Sequence, residues 1–424
     1  MDKQITFSRK LNIRYECDVL VAGGGMAGVC AACAAARQGA SVILIERFAI
    51  AGGNATSGGV HAFCGETAGQ GEIFDDLLDA LKKFNAIAPY KPYPECEARR
   101  FNGAMLSFVL QELLLRNNVK PLLHARLADA LADNNGKIDY CVISGQSGLE
   151  AIKARQFIDC TGEALLTHYA GFGTMKGRIS DNLQLPMSLM FFVRHIKNTA
   201  ASPALPGGWL EKLQSQEELP MTSIRANGEG SSAIKIKIPG GDSTDTESLS
   251  EAEIKARRKM MQVFDYYTRV EKKEWTIDHA APIIGIREGR RAVGDYILTV
   301  DDLRTGRAFE DAVAKGTFYL DGHSPDDEKR TYILPQDQLK VPPYHIPLRS
   351  LLVKNARNLC VAGRCFSADQ LALSSARVMP TCAMMGQAAG ITAAMAALSN
   401  SILRDINPLE IKELLKKKGA VLSL

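Results

Sequence analysis

The chain has 424 residues, 46% of them hydrophobic and 23% charged, with 51 Lys and Arg against 47 Asp and Glu for a formal net charge of +4. That composition excludes a disordered chain, and the length allows a core large enough to need no disulfide or metal staple. The charge excess is too small and too scattered to argue for nucleic acid or an anionic membrane as partner.

The opening MDKQITFSRKLNIRYE holds no apolar run of the ~7–15 residues that a signal peptide needs, so a cytoplasmic protein with reduced thiols is expected. Asp18 to Ala22 is a short β-branched run that stops at Gly23-Gly24-Gly25-Met26-Ala27-Gly28. Val29 to Gln38 is rich in Ala and closes at Gly39, and Ser41 to Ile45 is a second apolar run closed by Glu46. Strand, Gly-x-Gly-x-x-Gly, helix, strand and acid make a dinucleotide-binding βαβ unit. Gly23 permits the tight turn, Gly25 lets backbone approach a pyrophosphate, and Gly28 lets helix and strand pack closely. The helix N-terminus offers free N–H groups to the phosphates, and Glu46 is placed to accept from ribose hydroxyls. Cys30 and Cys33 form a C-x-x-C inside the Ala-rich helix and read as small core residues.

The motif alone does not choose between NAD(P) and FAD. Arg47 suits a 2′-phosphate, but an Arg after the acid is more often a solvated or adenine-stacking side chain. The second Gly-rich loop, Gly52 to Gly59, favours FAD, because its small residues with Asn54, Thr56 and Ser57 can wrap an extended cofactor. Leu122 to Leu127 and Ile138 to Ile143 read as a small meander, and Gln156 to Cys160 as a strand turning at Thr161-Gly162-Glu163. In the middle of the chain, Leu189 to Val193 reads as a strand. Ile234-Lys-Ile-Lys-Ile238 alternates with period two and predicts a half-exposed strand. Ser250 and Glu253 predict a capping box for a helix to about Val270, with Ile254, Met261 and Phe264 on one side. Asp321 to Glu328 reads as a solvated polar loop. Asn358 to Arg364 is a strand ending in Gly-Arg, and Cys382 to Leu398 a buried helix shorter than a membrane span.

These features together resemble the FAD-dependent oxidoreductases of the glutathione-reductase-like, two-dinucleotide-binding superfamily. The likeness rests on Gly23–Gly28 with Glu46, Gly52–Gly59, Asp159-Cys-Thr-Gly-Glu163, Gly285 to Arg291 with Gly294, and Asn358–Arg364 with Arg377–Gly390. It implies an α/β fold: a Rossmann-like FAD-binding domain with a doubly wound parallel sheet and an inserted α+β substrate domain. The expected division is 1–179 and 346–424 for the FAD-binding domain and 180–345 for the insert. The resemblance also implies that Gly23, Gly25, Met26 and Ala27 hold the pyrophosphate, Glu46 the ribose, and Gly53, Asn54, Thr56 and Ser57 the phosphates and ribityl chain. Leu127 would contact adenine through its main chain, Thr161 and Gly162 would approach from the other side, and Gly363, Arg364, Arg377 and Val378 would lie near the flavin.

No Cys pair follows the second Gly loop, where Cys64 stands alone, so a disulfide reductase is not expected. No second Gly-x-Gly-x-x-Gly unit appears, so the flavin would be reduced by a small-molecule substrate and reoxidised by oxygen, a quinone or another carrier. The expected activity is a dehydrogenase or oxidase moving hydride between a small polar substrate and flavin N5. A flavin monooxygenase and a non-catalytic flavin-binding protein are the alternatives. Candidate catalytic residues are His61, two positions after the second Gly loop, His345 in Val341–Arg349, and Arg287 beside Arg290 and Arg291. His61 suits a base or a supporting histidine, and Tyr344, His345 and Arg349 either line a pocket or form a rigid linker. Arg287 suits a carboxylate clamp, or structural pairing with Glu288. No metal spacing is present; a homo-oligomer is compatible with the sequence.

Overall fold

The run that ends at Ala22 is the buried half of β1 (Ile13–Ala22). The chain turns through Gly23 into α1 (Met26–Arg37) and returns as β2 (Val42–Ile45), parallel to β1 with Ala22 beside Ile45. The helices α2 (Glu72–Lys83) and α3 (Gly103–Arg116) follow, and β3 (Lys120–Leu122) adds to the outer side of β2, again parallel. Next come β4 (Arg126–Ala132), β5 (Ile138–Gly145) and β6 (Gly148–Asp159), joined as antiparallel neighbours. The expected meander therefore starts four residues later than Leu122. His124 adopts a positive φ of 55°, and this bend splits the apolar run into a parallel edge strand and the first meander strand. β6 also pairs parallel with β1, which brings Asp159 beside Ala22.

The computed structural model describes residues 5–196 and 205–424; the first four residues of the opening and 197–204 of the middle segment lie outside the described residues. That middle segment contributes β7 (Met187–His195), β8 (Thr222–Ala226), β9 (Ser231–Ile238), α4 (Thr246–Arg269) and β10 (Trp275–Ala280). The four strands form an antiparallel sheet in the order β8-β9-β7-β10. Leu189, Phe191 and Val193 join Ile234, Ile236 and Ile238 on one face, packed on Val263 and Phe264 of α4. Two expectations need correction. α4 begins at Thr246, capped by the Asp245 carboxylate accepting from the Ser248 N–H at 2.8 Å, and Ile254 is 61% exposed. Glu253 serves instead as the partner of Arg257 and of the Ile284 N–H. The lysine face of β9 is also no open surface: Lys237 is 1% exposed, its Nζ donating to the Arg330 carbonyl at 2.6 Å.

The chain then returns to the first sheet. β11 (Leu359–Val361) pairs parallel with the end of β6, with Val361 beside Asp159. α5 (Met379–Leu398) lies against α1, three residues longer than expected. By length and composition α5 could cross a membrane, but 89% of its apolar window is buried inside the protein. Small residues allow the contact: a Cβ on Gly386 or Gly390 would stand 2.1 or 2.2 Å from the carbonyl oxygen of Ala27 or Ala31. The registers align Ala22, Ile45, Asp159 and Val361 at one edge. The C-terminal edge of such a sheet is where dinucleotides bind.

Candidate active site and cofactor groove

A narrow cleft opens at this edge, lined by Gly23, Glu46, Arg47, Leu127 and Thr161 among others. Each stands just beyond a strand of this sheet, except Leu127, which begins the adjoining meander in β4. Glu46, closing β2, is 5% exposed; its Oε2 accepts from the Gly24 N–H at 2.7 Å and its Oε1 from the Phe48 N–H at 2.9 Å. Burial raises its pKa, and these two N–H groups pull the other way. α1 begins at an extended Gly25 with no side-chain cap, so its first N–H groups and positive dipole end are left for an anion. Tight approach is built in: a Cβ on Gly28 would lie 1.8 Å from the Gly23 carbonyl oxygen, whereas one on Gly25 would meet nothing within 4 Å. These residues fit a dinucleotide: open space beside an uncapped helix start, and a buried carboxylate closing the neighbouring strand.

The second Gly-rich loop lies directly against the first, with the Gly52 N–H donating to the Gly24 carbonyl at 2.8 Å. Asn54 reaches across to the middle segment, its Nδ2 donating to the Ile286 carbonyl at 2.9 Å. Ser57 is buried, and Thr56 spends its hydroxyl inside the loop, donating to the Ala51 carbonyl at 2.8 Å. On the other side, Thr161 Oγ1 donates to Asp159 at 2.7 Å, and the Arg364 guanidinium covers Gly162 while pairing with Glu163 at 2.7 Å. Glu163 also accepts from Ser243 Oγ at 2.9 Å; burial raises its pKa and Arg364 opposes that. Gly363 packs over Ala27 at the start of α1.

The groove leads to an inner cavity of about 360 Å³. The residues Asn54, His61, Arg287, Arg377 and Val378, read as separate signals in the sequence, meet in its wall. So do groups that the sequence reading missed: Lys235, Asp321, His323, Tyr319 and Tyr332. The alternation of β9 explains Lys235, which stands on the face opposite Ile234 and Ile236, beside Met190 of β7 and Ser223 of β8. The segment read as a solvated loop is instead a wall, because Lys237 clamps its far end. Within it His323 is 4% exposed, with Nε2 3.1 Å from Asp321 Oδ1, while Nδ1 has no partner among the described residues. Arg377 Nη2 lies 2.8 Å from Asp321 Oδ2. Burial pushes the Asp321 carboxyl up, but His323, Arg377 and Arg287 hold it well below the usual carboxylate range. Burial, then Arg287, lowers His323 to about 4, so its imidazole is neutral at neutral pH.

His61 sits in the partition between this cavity and an outer cleft of about 550 Å³, which shares His61, Arg100 and Asn227 with it. The His61 ring stacks on Phe192, centroids 5.0 Å apart, and Phe192 stacks in turn on His279. Burial, then His279, lowers His61 to about 4. His345 does not reach the cavity. The segment carrying it is a packed strand, Tyr344–Pro347, paired with Ala312–Gly316. Both its ring nitrogens are engaged there: Nδ1 accepts from the Phe309 N–H at 3.1 Å and Nε2 donates to the Leu422 carbonyl at 2.7 Å. Tyr344 is buried against Ser375, and Arg349 pairs with Asp311. The arginine cluster divides: Arg291 and Glu288 form a buried ion pair, while Arg287 turns into the cavity wall, its Nη1 donating to the Pro186 carbonyl at 2.6 Å.

A Rossmann-type sheet with glycine turns, a buried acid closing β2 and a polar cavity nearby defines an FAD-binding oxidoreductase. The chain belongs to the FAD dependent oxidoreductase family, whose family profile matches residues 18–416. No curated protein matches it. Similar solved structures include a geranylgeranyl bacteriochlorophyll reductase-like protein from Thermoplasma acidophilum, 13% identical, with 96% of this chain and 85% of that one covered and a TM-score of 0.49. Another is the OxyS anhydrotetracycline hydroxylase from Streptomyces rimosus, 12% identical, with 95% of this chain but 66% of the hydroxylase covered and a TM-score of 0.49. The myxobacterial chondrochloren halogenase CndH is 12% identical, with 96% of this chain and 79% of that one covered and a TM-score of 0.46.

Proposed function

We propose that the protein is a dehydrogenase or oxidase that draws a hydride from a small polar organic substrate in the inner cavity. FAD, when bound, supplies the hydride acceptor, N5. The chain holds the cofactor and manages the proton. In this reading Gly23, Gly25, Met26 and Ala27 carry the pyrophosphate at the start of α1, and Glu46 takes the ribose. Arg47 and Leu127 border the adenine, while Gly53, Asn54, Thr56 and Ser57 line the phosphates and ribityl chain. Thr161, Gly162, Gly363, Arg364, Arg377 and Val378 close the far side.

The observation that carries the reading is the Asp321–His323 pair. A neutral imidazole with Nε2 held 3.1 Å from a carboxylate, and with a buried Nδ1 that has no partner among the described residues, is the form that accepts a hydroxyl or amine proton. Asp321 then stabilises the resulting imidazolium, and Arg377 keeps Asp321 oriented. His61, stacked on Phe192 and tilted against Phe101, acts as packing at the entrance.

The test is an absorbance spectrum of the purified protein followed by anaerobic titration with alcohols, hydroxy acids and amines. Flavin bands that bleach with at least one such compound are expected. Bleaching by NADPH alone would move the protein to the monooxygenase class, and no bleaching by anything would leave a binding protein.

A further inference from the structure

Five cations, Arg100, Arg225, Lys235, Arg287 and Arg377, line the cavity against two carboxylates, Glu97 and Asp321. Arg377 is already paired with Asp321. Neither Arg287 nor Lys235 has an ion pair among the described residues, although Arg287 is nine-tenths buried. Among the described residues the guanidinium of Arg287 donates to the Pro186 carbonyl alone, which leaves most of its N–H fork unused there. A buried, uncompensated guanidinium is costly, and the usual compensation is an anion.

We propose that the inner cavity selects substrates bearing a carboxylate, with Arg287 as its bidentate partner and Lys235 as a second counter-charge. The planar fork of Arg287 matches a carboxylate. The neighbouring walls of Met190, Phe192, Phe318 and Val378 are apolar and suit a carbon frame rather than a bare inorganic ion. The two cations also disfavour each other while the cavity is without an anion. Burial and then Arg287 bring Lys235 to about 8, and burial and then Arg377 bring Arg287 to about 10. An anion between them reverses that repulsion. With His323 beside the same cavity, a 2-hydroxy or 2-amino acid would place its carboxylate on Arg287 and its proton-bearing group toward the histidine. This last clause rests on the dehydrogenase reading above; the carboxylate preference does not.

The experiment is calorimetric titration of the oxidised, FAD-loaded protein, which involves no turnover. The probes are pyruvate, succinate and benzoate, each with its uncharged amide, and inorganic phosphate at equal ionic strength. At least one carboxylate should bind ~10-fold or more tightly than its amide and than phosphate. Lys235→Met and Arg287→Met, checked for wild-type flavin content, should each weaken that binding ~10–100-fold, and Lys235→Arg should restore most of it. Equal binding of acid and amide, tighter binding of phosphate, no binding by any carboxylate, or unchanged binding in a flavin-loaded Lys235→Met protein would each overturn the proposal. Carboxylate binding without any flavin bleaching would remove the dehydrogenase reading and leave this one standing. Bleaching by neutral alcohols, unaffected by Lys235→Met, would do the opposite.

Discussion

At the edge of the parallel sheet the cofactor groove is made chiefly of backbone: glycine turns, a free helix start and one acid at the end of a strand. Across the site, the cavity wall is made of side chains: Lys235 from the antiparallel sheet, and Arg287 and the Asp321–His323 pair from segments outside it. The difference has a physical origin. A pyrophosphate is recognised by N–H groups and a dipole, which any chain with the right turns provides, so the spacing of glycines carries the information. A substrate is recognised by the placing of particular charged atoms, which depends on how separate segments pack. The groove therefore tolerates little change in shape, and the cavity little change in chemistry.

That contrast can be broken at either side, and the largest effect belongs to the groove. Gly28→Val places carbon where the Gly23 carbonyl already stands, since even the Cβ would lie 1.8 Å from it. Overpacking of this kind costs ~1–3 kcal/mol or more. The protein should emerge colourless with a lowered Tm, as read by flavin absorbance and thermal melting. A yellow, stable Gly28→Val protein would mean that backbone shape does not govern the groove.

On the cavity side, His323→Asn should keep the flavin while slowing substrate-dependent bleaching ~10²–10⁴-fold, measured by anaerobic stopped flow. The same histidine should be visible in stability. Its folded pKa of about 4 lies below the ordinary 6.5, in surroundings that include Asp321, Arg287 and Lys235. Between those pH values the unfolded chain binds more protons, so its contribution is complete above pH ~6.5 and is lost as pH falls toward 4. Denaturant unfolding across that range should show a loss of up to ~3 kcal/mol from this group, and His323→Asn should flatten it. His61 adds a loss of the same sign, its pKa being lowered by burial and His279. A profile unchanged by His323→Asn would mean that the imidazole titrates as freely in the folded protein as in the unfolded one.

Glu46→Gln should weaken FAD by ~10–100-fold, the worth of one charge-assisted hydrogen bond, without altering bleaching in the saturated protein. Equilibrium dialysis of FAD measures it; an unchanged affinity would leave the ribose to other groups. Smallest is His61→Phe, which preserves the stack on Phe192 and should change the bleaching rate less than ~10-fold. A drop as large as that of His323→Asn would transfer the proton role to His61.

What could be read from the sequence follows the same division. Gly23, Glu46, Leu127 and Thr161 come from four places in the chain yet line one cleft, because each stands just beyond a strand of the same sheet or at the start of the adjoining meander. Local pattern is enough for that. His323 was hidden because a string of Asp, Gly, His, Ser and Pro looks like solvent-exposed chain. Its burial depends on Lys237, far away in sequence, donating to the Asp327 and Arg330 carbonyls. Lys235 was hidden by the alternation of β9, which marks one face as apolar but does not say that the other is covered. His345 misled in the reverse direction: a histidine among prolines looked free to act, but a pairing with Ala312–Gly316 had already claimed it.

The meeting of β6 with β11, and of α1 with α5, has a consequence for biosynthesis. Gly23 to Gly28 leave the ribosome well before the strand and helix that complete their surroundings. Until Leu359–Leu398 has emerged, the Phe157–Asp159 end of β6 lacks its neighbour on one side and the Ala27–Ala31 stripe of α1 lacks its cover. The nascent chain must therefore wait, half-assembled, before it can capture its coenzyme, and a ribosome-stalled fragment ending before residue 359 should carry none.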